Sequence, residues 1–167
     1  YEMIWAHEVP HVQLDEGDVR VISGRWNEHV APPAPQASWA NDPEHEVALY
    51  ILTVKPGGHV ELPTASEDAN RMMYHIDGGS ATVEGQTLKP KHGMQLRAHL
   101  PTVIEAKEEQ VRVLVLQGKP IAEPVAQHGP FVMNTNEEIY QAFSDYRRTE
   151  FGGWPWGPSD ICLLYTS

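Results

Sequence analysis

Short runs rich in β-branched and aromatic residues return about every ten residues between Val19 and Leu116, each closed by a turn. That rhythm restricts the chain to a β-sandwich or barrel. Val19 to Ser23 and Val47 to Val54 open the series, and the second stops at the turn Lys55-Pro56-Gly57-Gly58. His59 to Leu62 reads as a short strand, Thr64 to Ala69 as a polar loop, and Arg71 to Ile76 as a strand ending in a hairpin turn at Asp77-Gly78-Gly79. Ser80 to Glu84, Met94 to Arg97, Thr102 to Ala106 and Gln110 to Leu116 continue it. Between the first two runs, Ala31 to Pro43 holds four prolines and no period, and is expected to wrap the surface as a loop. The 14 Pro and 13 Gly fit many short elements better than a helix bundle.

One helix is expected. Ile139, Ala142, Phe143 and Tyr146 recur at helical spacing, and Thr135 and Glu138 are placed as a capping box in front of them. Arg147 and Arg148 suit the negative end of the helix dipole, and Gly152-Gly153 is expected to end it.

Twelve Lys and Arg against 23 Asp and Glu leave a formal net charge of −11, with no basic face, which disfavours direct nucleic-acid binding through phosphates. No run is long and apolar enough to suggest a membrane span. Cys162 is the lone cysteine, so an intracellular compartment, cytoplasmic or nuclear, is the simpler expectation. The chain begins at Tyr1, and a portion upstream is expected to be missing.

Three segments carry a resemblance to a known family. They are YEMIWAHEVPHVQL with VRVISGRWN, then LTVKPGGHVELP with NRMMYHIDGGSATVEG, and above all Gly118 to Asp145 around GPFVMNT, extended by Phe151-Gly152-Gly153-Trp154-Pro155-Trp156. Together they resemble the carboxy-terminal cupin domain of the pirin family. The resemblance implies a cupin-type jelly-roll β-sandwich with one C-terminal α-helix over residues 1–158. The apolar stretch Ile161 to Ser167 has no cap and no periodic partner, and residues 159–167 are expected to be a non-native or disordered tail, with a terminal β-strand added to a sheet edge as the alternative.

The resemblance also implies a two-cupin parent whose amino-terminal half holds iron on His and Glu side chains. Pirins are associated with quercetin 2,3-dioxygenase activity and transcriptional co-regulation. A cupin metal site needs imidazole nitrogens and a carboxylate converging inside the barrel. Counted from Gly57 and back from Gly78, the family's His window falls on Leu62 to Ala65 and its Glu on Arg71, and counted from Gly93 its last His falls on Ile104. No ligand stands at any of these positions, and an inward Arg would repel a cation unless a carboxylate neutralised it. The expectation is therefore no metal, cofactor or catalytic residue in this chain. Its role would be structural, supporting the missing N-terminal cupin domain and offering surface to protein partners.

An alternative is an autonomous metal-dependent oxygenase or small-ligand binder with a relocated site. His59 and Glu61 point to one face of a strand, and His75 is expected on the neighbouring strand, with His92 and His99 flanking a loop nearby. His128 is read as a loop side chain bonded to nearby backbone. No G-x-S-x-G elbow occurs. Trp154-Pro155-Trp156 is read as an apolar clasp, over exposed core or over the missing domain, with a ligand-stacking platform as the alternative.

Overall fold

The computed structural model describes residues 3–153, and the Trp154-Pro155-Trp156 clasp and the tail 159–167 lie outside them. The chain forms two compact units, up to Ile121 and from Ala122 onward. In the first, strands follow in the order β1 (His11–Leu14), β2 (Gly17–Ser23), β3 (Arg25–Trp26), β4 (His29–Val30), β5 (Ala48–Val54), β6 (His59–Leu62), β7 (Asn70–Gly78), β8 (Ala81–Val83), β9 (Gln86–Leu88), β10 (Gly93–Arg97), β11 (Thr102–Ala106) and β12 (Val111–Gly118). The second contains β13 (Ala126–His128), β14 (Phe131–Met133) and α1 (Asn136–Thr149).

Two antiparallel sheets make the first unit a jelly-roll sandwich. The larger runs β1-β2-β5-β12-β7-β10 and the smaller β6-β11-β8-β9. Each strand alternates, so Val19, Val21, Leu52, Val54, Met73, Val113 and Val115 of the larger sheet meet Val60, Leu62, Ala81, Val83 and Ile104 of the smaller in one buried core. Turn chemistry sets the strand ends. Gly58 N–H closes on Lys55 O at 2.9 Å, with Pro56 and then Gly57 at φ 73, the order a type II turn requires.

The outer face of the larger sheet is unusually apolar for an antiparallel sheet. Register aligns Ile51, Leu114 and Tyr74 in one row and Leu49, Leu116 and Met72 in the next. Tyr74 and Ile76 remain 40% and 42% exposed.

Two expected hairpin features differ. β7 and β8 are not paired; they belong to different sheets, so Asp77-Gly78-Gly79 is a corner at which the chain changes layer. Conversely, β13 and β14 form a hairpin across Gly129-Pro130, where a loop was expected, with Gly129 at φ 57 in the first turn position. The proline-rich segment is a loop carrying two 3-10 turns, Trp39–Asn41 and Pro43–His45.

α1 is the one α-helix among the described residues, and it starts as its capping box dictates. Glu138 N–H donates to Thr135 Oγ1 at 3.2 Å, and the Glu138 carboxylate accepts from Thr135 N–H at 2.9 Å. It ends at Thr149, short of the glycines, because Glu150 turns left-handed (φ 48) and its N–H caps Tyr146 O. No helix among the described residues is long and apolar enough to cross a membrane.

Candidate functional site

Side-chain parity and register decide what lies inside the sandwich. On the larger sheet the inward rows are Ala48–Gln117–Arg71–Leu96, then Tyr50–Val115–Met73–Met94, then Val19–Leu52–Val113–His75. The first row is polar at its centre and sits at one mouth of the sandwich; the rows beneath it are almost wholly apolar.

The family's ligand positions fall on Leu62 to Ala65, Arg71 and Ile104; Leu62, Arg71 and Ile104 are interior, at 1%, 2% and 0% exposure, and Thr64 is exposed. Leu62 and Ile104 offer no lone pair, and Arg71 brings a positive charge. These residues do not fit an iron-type ion, since a cation there would meet a guanidinium instead of donors. Among the described residues, no three His, Cys, Asp or Glu side chains gather as a metal cluster.

The relocated trio does not assemble. His59 and Glu61 project from the outer face of the smaller sheet, where His59 pairs with Glu16, whereas His75 points inward from the larger sheet. The β6–β7 connection carries the chain from one sheet to the other, so these strands are not neighbours and the core lies between the residues. His75 Nε2 is 2.7 Å from Gly79 O, and its Nδ1 has no partner among the described residues. His92 is exposed and held by Pro90 O at 2.9 Å, and His99 is half-buried. His128 ends β13 with its ring edge-on to Phe143 at 5.5 Å, so it is a strand residue in an aromatic cluster.

The mouth of the sandwich holds the most distinctive polar geometry. Arg71 Nε donates to Gln117 Oε1 at 2.9 Å, and Nη2 donates to the same oxygen and to Pro63 O at 2.6 Å. Nη1 is buried without a partner among the described residues. Gln117 Nε2 in turn donates to Glu46 O at 3.1 Å. The Glu46 carboxylate is turned to Ser66, accepting from its N–H at 3.2 Å and from its hydroxyl, with Lys119 Nζ at 3.8 Å. Tyr50 donates its hydroxyl to Arg25 O, and its ring meets Trp26 edge-on at 5.3 Å. Burial pushes the Tyr50 hydroxyl pKa up, partly offset by the Arg71 charge. Burial likewise lowers that of Arg71, against the pull of Tyr50 and Glu46.

Beside this group opens a cleft of about 620 Å³. Tyr50, Pro63, Gln117 and Glu46 line it, with walls from the proline-rich loop including Pro32, Pro33 and Pro43. Sequence reading placed Arg71 inside but overlooked Gln117, Tyr50 and Glu46. The signal was present for Gln117, which closes the alternating run Val111, Val113, Val115 with a polar residue at an inward position.

The Pirin C-terminal cupin domain family matches residues 40–152, which takes in the cleft's inner wall, the sandwich from β5 onward and the capped helix. The chain belongs to the pirin C-terminal cupin family. Human pirin is 43% identical over 158 residues, covering 91% of this chain and 51% of its own length. A pirin-like protein of Caulobacter vibrioides is 35% identical over 152 residues, covering 90% and 52%. A crystal structure of quercetin 2,3-dioxygenase from Acinetobacter baumannii has a TM-score of 0.73 at 27% identity, covering 90% of this chain and 50% of that one. The chain thus spans about half the length of the curated relatives it matches. Within the family's fold, Arg71, Leu62 and Ile104 are what this chain places at the sandwich interior.

Proposed function

We propose that this chain is the non-metal cupin half of a pirin-like protein, with a structural and protein-interaction role beside an iron-binding amino-terminal cupin. The carrying observation is the interior itself: Leu62, Arg71 and Ile104 are buried where a cupin would bring donors together, and the guanidinium repels a cation. The apolar outer rows of the larger sheet support the same reading, because rows such as Ile51–Leu114–Tyr74 are made to be covered by a further layer. The net charge of −11 favours protein over nucleic acid as the partner. Any oxidation of a flavonol such as quercetin, the substrate in the name of the Acinetobacter relative, would then belong to the metal-bearing half.

The test is metal content. The purified chain, exposed to Fe(II) without oxygen and desalted, is expected to retain well under one equivalent by mass spectrometry and to leave quercetin unchanged. One equivalent of retained iron, or quercetin turnover above the protein-free rate, would overturn the reading.

A further inference from the structure

A buried cation that is hydrogen-bonded to no anion is costly, and among the described residues Arg71 is one. Its three hydrogen bonds go to a neutral carboxamide and a backbone carbonyl, Nη1 has no acceptor among the described residues, and only 2% of the residue is exposed. A guanidinium cannot escape this cost by losing its proton. Glu46, whose charge acts on Arg71, has its carboxylate engaged by Ser66 and Lys119.

Both residues that hold Arg71, Gln117 and Pro63, line the 620 Å³ cleft, so the guanidinium is separated from it by the lining they form. Gln117 Oε1 accepts from Nε and Nη2 together, the donor edge that a carboxylate takes in a forked pair. The amide oxygen is a neutral occupant of an anion's place. We propose that the mouth of this sandwich binds a small organic monocarboxylate, with Arg71 as its anchor and Gln117 as the built-in stand-in that the ligand displaces.

The walls define the rest of the ligand. Pro32, Pro33, Pro43 and Ala65 are short, stiff and apolar, which suits a flat apolar body, and the volume lies within the usual range for small-molecule clefts. Asp42 and Glu46 border the cleft with Arg25, two acidic groups to one basic, so a second negative charge on the ligand is disfavoured. A single carboxylate on a planar ring is therefore favoured over phosphate, sulfate and dicarboxylates. The site needs no metal, and it stands or falls independently of the structural role proposed above.

Benzoate is the probe and benzamide its uncharged counterpart of the same shape. Millimolar benzoate is expected to raise the melting temperature of the whole chain saturably, with benzamide inert. Gln117→Glu supplies the carboxylate from within and should fold while losing the benzoate response. Arg71→Met should lose it too, and Gln117→Ala, which removes the competitor, should bind several-fold tighter. Binding by calorimetry should weaken at least about tenfold in Gln117→Glu and Arg71→Met. No benzoate effect on the wild type, an equal effect of benzamide, or an undiminished response in Gln117→Glu overturns the proposal, and the last holds even if Arg71→Met does not fold.

Discussion

Replacing Arg71 with Met should make the protein more stable, although it removes three hydrogen bonds from the interior. The effective cost of holding an ion away from water is several kcal/mol. Here it is offset by bonds to Gln117 Oε1 and Pro63 O and by the pull of the Glu46 charge, with Nη1 unpartnered among the described residues. Met keeps most of the apolar stem and discards the charge. The two acceptors it strands belong to residues lining the cleft, where water can replace the lost donor at about 1 kcal/mol each. The expected net gain is about 1–3 kcal/mol, or roughly 2–4 °C of melting temperature for each kcal/mol in a chain of this size. Urea unfolding followed by tryptophan fluorescence measures it, with an unchanged slope showing that only stability moved. Met73→Ala, two residues along the same strand and fully buried, is the calibrating loss of about 2–5 kcal/mol. If Arg71→Met instead lost more than about 1 kcal/mol, the guanidinium would be well compensated and its burial would need no ligand to explain it.

Two further outcomes follow from local geometry. Thr135→Ala removes the acceptor for Glu138 N–H and should cost about 0.5–2 kcal/mol, read as lost helical circular dichroism at low denaturant. Tyr50→Phe loses the bond to Arg25 O and should cost about 1 kcal/mol near neutrality. Because the folded Tyr50 pKa lies above its ordinary value, its contribution is complete below that value and fades as pH rises through the folded one. The stability gap between wild type and Tyr50→Phe should therefore narrow above about pH 10; a gap that widened there would contradict the burial of the hydroxyl.

The strand series was legible because it depends on local pattern. His59–Leu62 and Thr102–Ala106 have the bounds that their alternation and flanking turns suggest, and the Thr135–Glu138 box marks the helix start. β1 was missed because HVQL is half polar on an edge, and the β13–β14 hairpin because its strands are three residues long. Which sheet a strand joins is not written in its own residues. Glycine corners such as Asp77-Gly78-Gly79 look alike whether the chain doubles back or changes layer, and that ambiguity placed His75 beside His59. The cleft was harder still, since Glu46, Tyr50, Arg71 and Gln117 converge only once register is fixed.

The position of β12 bears on how the chain folds. Val111–Gly118 is the strand that joins the two halves of the larger sheet, with β5 on one side and β7 on the other, both made long before it. During synthesis, β5 and β7 must wait with open edges until it leaves the ribosome, so the sandwich closes late and through distant pairings. Folding on a scale of milliseconds to seconds is expected of such a topology. A nascent chain halted before Gly118 would expose two apolar edges at once, which makes that interval the one in which a chaperone matters most.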